Sequence, residues 1–139
     1  MILAACNIFT APDGPIRAAI SVSDVVSTNS APAQITVVVR NVSTSALTLV
    51  APCNGQVIIE RPSGADLVAP PTPECDYTLD VLPGRESWTT TRSWKEIGVE
   101  QDGATRGQPL PPGHYRVAAY VRNDSFSMRS AAVDLEVTR

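Results

Sequence analysis

Hydrophobic and polar residues alternate with a period of two along most of this chain. In 34–41 (Q-I-T-V-V-V-R-N), Ile35, Val37 and Val39 share one face, the pattern of a half-buried strand. From Arg17 onward, Ile20 and Val22 oppose Ser21 and Ser23. The same alternation puts Leu47 and Leu49 together in 46–50, Tyr115, Val117, Ala119 and Val121 in 114–122, and Val133, Leu135 and Val137 in 131–138. Shorter candidates are 56–61, 66–68 and 77–82. Residues 85–94 (R-E-S-W-T-T-T-R-S-W) are rich in Thr and Trp, which suit a pleated surface. Trp88 and Trp94 stand six apart, on one face of a regular strand.

Turn chemistry separates these runs: Asp13-Gly14-Pro15, Ser43-Thr44-Ser45, Pro62-Ser63-Gly64, Pro83-Gly84 and Pro111-Pro112-Gly113. Runs 34–41 and 46–50 are expected to pair as a hairpin. No stretch carries a helical period. Short strands with turns at this spacing predict an antiparallel sandwich or barrel of about seven to nine strands. The proline-rich segment 69–76 and the segment 95–113 read as crossovers between sheets, which favours a Greek-key sandwich. Domain organisation is a tether over 1–15 and one domain over 16–139.

The segment 94–121 holds the most information. It reads as two antiparallel strands joined by a long loop, each placing a large aromatic near one core. Trp88, Trp94 and Tyr115 are therefore assigned to the core. The loop of about 18 residues from Lys95 to Pro112 exceeds ordinary hairpin loops. Its charged residues Lys95, Glu96, Glu100, Asp102 and Arg106 are the candidates for a partner interface, with solvated decoration as the alternative.

Composition narrows the function more than it names one. A chain of 139 residues with 43% hydrophobic and 18% charged residues can bury a core of its own. Net charge of −3 and a pI near 5.0 give no general attraction to nucleic acid. Ten of the eleven basic residues are arginine, Lys95 being the exception. Aromatics at 5% are too few for a base- or sugar-stacking surface.

The three cysteines fall in two groups. Cys53 and Cys75 sit beside turns, in P-C-N-G and P-E-C-D; a disulfide between them closes a loop of about 23 residues, worth roughly 3 kcal/mol by chain entropy. That bridge implies an oxidising compartment, and two inert thiols are the alternative. Leu3-Ala4-Ala5-Cys6 resembles the lipobox of bacterial lipoproteins, with Cys6 as the lipidation candidate. The sequence lacks the basic and apolar regions that precede such a box, so export requires a signal upstream of Met1.

Enzymatic readings find few supports. His114 is the only histidine, so any Ser-His or Cys-His arrangement would have to use it. It follows a Pro-Pro-Gly turn, where an exposed polar residue is the default. No paired Cys or His motif of metal-binding spacing occurs. Glu100 and Asp102 are the one conceivable calcium pair, against the plainer reading as a polar turn. No cofactor is expected.

A family resemblance rests on particular residues. Asn41-Val42-Ser43 after a strand, the run 56–64 (Q-V-I-I-E-R-P-S-G), Leu82-Pro83-Gly84, Trp94, Gly103 and 110–115 (L-P-P-G-H-Y) resemble, in order and spacing, the intracellular proteinase inhibitor (BsuPI) domain of bacteria. The similarity covers roughly 34–122. The sequence departs from the pattern by lacking aromatics around Val57–Ile59 and by adding Cys53 and Cys75. The resemblance implies an all-β, immunoglobulin-like sandwich. The expected function is a non-enzymatic exported module making protein–protein contacts on the bacterial envelope, periplasmic or anchored through Cys6, and cytoplasmic if no signal precedes it. The alternative is an inhibitor presenting an exposed loop to a subtilisin-like protease. The expected state is a monomer, with a protein partner and no nucleic acid.

Overall fold

The computed structural model describes residues 14–51, 56–60, 66–67, 78–99, 107–122 and 127–139. They form an all-β, immunoglobulin-like sandwich of two sheets. The first holds β1 (Ile16–Val22), β3 (Gln34–Asn41) and β8 (Ser87–Ser93), antiparallel in the order β1-β3-β8. The second is built on β9 (Gly113–Arg122), which pairs along one edge with β11 (Val133–Val137) and then β10 (Ser127–Arg129). Along its other edge it meets β5 (Gln56–Glu60) and then β4 (Leu47–Ala51). Outside these lie β2 (Val26–Ser27), parallel to β11, then β6 (Asp66–Leu67) on β5 and β7 (Thr78–Leu82) on β4.

The eleven strands described exceed the seven to nine expected. The surplus arises because β4 with β5, and β10 with β11, each run along a single edge of β9. Between β10 and β11 the buried Ser130 replaces ladder bonds: Ala119 N–H donates to its Oγ at 2.8 Å, and its own N–H donates to Ala119 O at 2.9 Å. An extra residue there bends the strand without leaving a backbone group unpaired.

The alternating residues meet between the sheets as the pattern requires. Ile16, Ala18, Ile20, Ile35, Val37 and Val39 from one sheet face Leu49, Val57, Ile59, Leu82, Tyr115, Val117, Ala119 and Leu135 from the other, all buried. Trp94 and Tyr115 join this core with ring centroids 5.8 Å apart. Trp88 does not belong to it fully. It is half-buried and packs against the core from the edge strand β8, where only one strand, β3, covers it among the described residues.

Three sequence expectations change. Residues 34–41 and 46–50 are not a hairpin, since β3 and β4 lie in different sheets. The cause is Asn41, wholly buried at the end of β3. Its Nδ2 donates to Ser45 O (2.8 Å), Leu82 O (3.1 Å) and Pro83 O (3.3 Å), while its Oδ1 accepts from Ser43 N–H (3.0 Å) and Ser43 Oγ–H (2.7 Å). One amide thus ties together two corners at which the chain changes sheets, β3 to β4 and β7 to β8. Secondly, the segment 69–76 lies outside the described residues, and the strands flanking it, β6 and β7, belong to the same sheet. The chain changes sheets at the short corner 83–86. Arg85 takes φ 67° there and donates to Ser43 O, and a Cβ on Gly84 would stand 2.4 Å from Thr44 O.

Thirdly, Trp94 does not end a strand. It starts a single helical turn, α1 (Trp94–Ile97), capped by Ser93, whose Oγ accepts from Lys95 N–H, with Glu96 reaching back to Ser93 N–H. The Ser-x-x-Glu spacing of a capping box was present in the chain, hidden inside a strand-like run. The strands flanking 95–112 belong to different sheets, as its reading as a crossover expects, and Trp94 and Tyr115 at its two ends share one core.

Candidate functional site

The strand registers define two poles. Ile16 pairs with Asn41 and Val50 with Arg122, so Pro15 and the Asn41 corners lie at one end. Gln34 pairs with Ser93 and Gly113 with Val137, so α1, the start of β9 and the C-terminal strand end lie at the other. The long loop belongs to this second pole.

The loop is held at its base. Val99 and Pro109 form an antiparallel bridge, and Leu110 N–H donates to Gly98 O at 2.9 Å. Trp94, Ile97 and Leu110 are buried beneath it. Gly98 is required for close packing, because a Cβ would stand 2.5 Å from the Trp94 ring. On the far side Tyr115 donates its hydroxyl to Pro111 O, four residues upstream. This is the tyrosine-corner arrangement of Greek-key sandwiches, and it explains the value of Gly113-His114-Tyr115 after two prolines. The residues left between the bridged positions are 100–108.

Beside this base lies an open cleft of about 370 Å³, lined by Asn29, Pro109, Leu110, Pro111, Pro112 and Val137–Arg139. It adjoins a smaller cavity of about 60 Å³ whose walls include Thr28, Trp94, Lys95 and Gly98. Pro109, Pro111 and Pro112 are exposed and give the cleft a rigid rim, while Asn29, Thr138 and Arg139 make its other wall polar. The Asn29 side of the cleft is braced from the core: buried Ser27 Oγ accepts Ala33 N–H at 3.0 Å, and Thr138 N–H donates to Ser27 O at 2.8 Å.

Of the five charged loop candidates, Lys95 and Glu96 are described and both are exposed on α1. Glu96 is engaged in the cap and stands 4.0 Å from Arg92 Nε, so its first role is local. Lys95 lines the smaller cavity. Glu100, Asp102 and Arg106 lie outside the described residues, as do Cys6, Cys53 and Cys75. The cleft residues Asn29, Pro111, Pro112 and Thr138 were not among the sequence candidates. The Pro-Pro pair marked the turn, but nothing in the chain signalled that residues 29 and 138 would converge on it.

His114 is exposed on the outer face of the second sheet, opposite Glu136. On the same face Glu60, Arg116 and Asp134 form a row across three strands, with Arg116 3.9 Å from Glu60 and 3.7 Å from Asp134, and Arg129 3.2 Å from Glu60. Glu60 is half-buried and Arg116 and Asp134 are exposed, so each pair is open to solvent on at least one side and contributes little individually. Among the described residues no three His, Cys, Asp or Glu side chains come together to hold a metal, and no helix is long and apolar enough to cross a membrane.

No family model matches the chain, and no curated protein is similar to it in sequence. Solved structures are similar in fold. The CARDB domain of a Pyrococcus furiosus protein, in complex with di-metal ions, is 18% identical with a TM-score of 0.52, over 94% of this chain and 91% of that one. The Pseudomonas fluorescens alkylpurine DNA glycosylase AlkC, bound to DNA containing an abasic site analog, is 12% identical with a TM-score of 0.55, over 92% of this chain. A Listeria innocua β-glucosidase in complex with glucose is 16% identical with a TM-score of 0.52, over 88% of this chain. This chain spans 32% of the glycosylase and 16% of the glucosidase. At these identities the likeness is one of fold: an immunoglobulin-like sandwich, found both as a domain of similar size and within much longer chains.

Proposed function

We propose that the chain is a non-enzymatic, immunoglobulin-like binding module of the bacterial cell envelope, which takes a protein partner at the pole formed by the loop base and the proline-rimmed cleft. One observation carries this reading. The described chain enters at the Asn41 pole, where Val42 N–H donates to Pro15 O, and the cleft opens at the opposite pole. A tether over residues 1–15, anchored through Cys6, therefore leaves the cleft facing away from the membrane. The open, proline-rimmed cleft and the clamped loop base suit a protein surface.

The register also favours the Cys53–Cys75 bridge and the oxidising compartment it implies. Ala51 pairs with Thr78, and the two cysteines follow and precede that pair by two and three residues. The test of the binding site is photocrosslinking in the envelope of the source bacterium. A photoreactive residue at Pro111 or Asn29 is expected to capture the same protein, and one at Thr44 on the far pole to capture none. Equal capture from both poles contradicts the assignment.

A second reading, a BsuPI-like inhibitor of subtilisin-like proteases, is favoured by the clamp itself. A loop bridged at Val99–Pro109 and pinned by Leu110 is constrained in the way that resists cleavage while occupying an active site.

A further inference from the structure

We propose that β8 is an isologous interface with a second copy of this chain, joining two three-stranded sheets edge to edge into one continuous sheet. The strand is seven residues long, S-W-T-T-T-R-S, with no proline or lysine along it; its one charged residue is Arg92, and the Glu96 carboxylate of α1 covers the Ser93 end of its outer edge. Its backbone directions follow from the bonds that bracket it. Asn41 N–H donates to Glu86 O (2.9 Å) and Trp94 N–H to Ala33 O (2.8 Å). Trp88, Thr90 and Arg92, in step with those residues, therefore turn their N–H and C=O toward β3. Ser87, Thr89, Thr91 and Ser93 turn theirs outward. Ser93 N–H confirms this by meeting Glu96 Oε2 off the outer edge. Among the described residues no hydrogen bond reaches the outward N–H and C=O of Thr89 and Thr91, and both residues are exposed.

The order of side chains selects a copy of the same strand as the occupant. An antiparallel twofold centred on Thr90 sets Thr89 opposite Thr91 of the second copy, and the reverse. Both are outward-facing residues, so each pair exchanges both of its N–H···O bonds across the seam. The same twofold sets Trp88 opposite Arg92 of the second copy, twice. These are closely spaced, non-hydrogen-bonded pairs, within reach of a guanidinium–indole contact. Trp88 is already half-buried, and Arg92 has only its 4.0 Å partner Glu96 to give up. Thr36 Oγ1 lies 3.0 Å from Thr91 Oγ1, which extends the row of threonine hydroxyls on the outer face up to the seam. The contact closes on itself by symmetry, giving a dimer in place of the monomer expected from sequence.

Sedimentation equilibrium of the 139-residue chain, from about 1 µM to about 1 mM, is expected to show a monomer–dimer equilibrium. The double variant T89K/T91K, which places like charges opposite one another in both central pairs, weakens it by roughly tenfold or more. The variant T89K/T91E places Lys opposite Glu in the same register and restores the association. Thr89→Pro removes an outward N–H without touching the β3 ladder, and abolishes the dimer while leaving the monomer folded by circular dichroism. A wild-type chain that stays monomeric throughout, or a dimer that is indifferent to these substitutions, or T89K/T91E no tighter than T89K/T91K, overturns the proposal.

Discussion

At the residue scale the fold depends on a few side chains that the hydrophobic pattern does not point to. Asn41 is the clearest case, since a polar residue at the end of a strand reads as a turn former and here is fully buried with donor and acceptor groups all engaged. Asn41→Ala strands three carbonyls and a serine, and is expected to cost at least about 3 kcal/mol in urea unfolding, well beyond an ordinary surface change. A loss under 1 kcal/mol, by the same linear extrapolation, would show that the corners hold without it. Tyr115→Phe removes the bond to Pro111 O and is expected to cost about 1–2 kcal/mol with the ring packing intact. Tyr115 and Trp94 were readable as core because large aromatics next to period-two runs have few other places to go. Trp88 was not distinguishable from them, because the sequence does not say that β8 is an edge.

At the element scale, strand identity followed from alternation, and strand pairing did not. The runs now seen as β1, β3, β4, β9 and β11 were each placed by their apolar face. Alternation tells which side of a strand is buried, however, and says nothing about which sheet the strand joins. A short polar segment such as 42–46 fits a hairpin and a corner equally well, and the choice was made by Asn41 and by the close approach of Gly84 to Thr44. The helical turn α1 escaped notice for a related reason: four residues are too few to show a period, and only its capping box marks it. Ser93→Ala is expected to cost about 1 kcal/mol and to loosen the loop base. The β4–β7 register leads to a further expectation, that the intact mass of the oxidised chain rises by about 2 Da on reduction as the Cys53–Cys75 bridge opens. An unchanged mass removes the bridge.

At the scale of the whole molecule, the sandwich separates its two ends. One pole is knotted by Asn41, Gly84 and Pro15 and offers little freedom. The other gathers α1, the prolines 109 and 111–112, Asn29 and the end of β11 around a cleft. The sequence pointed to charged residues of 95–112 as a partner surface; of these, Lys95 and Glu96 lie at this second pole, and the proline rim beside them was not among the candidates. The cleft is assembled from three separated parts of the chain, at residues 29, 109–112 and 137–139, which no local motif could announce. The central claim is that this pole is a docking surface and not an inhibitory loop. Its most direct test is the residual activity of subtilisin-type proteases incubated with an excess of the chain at micromolar concentration. The account predicts unchanged protease activity. A stoichiometric, titratable loss of activity, with the chain left intact across 95–112, would contradict it.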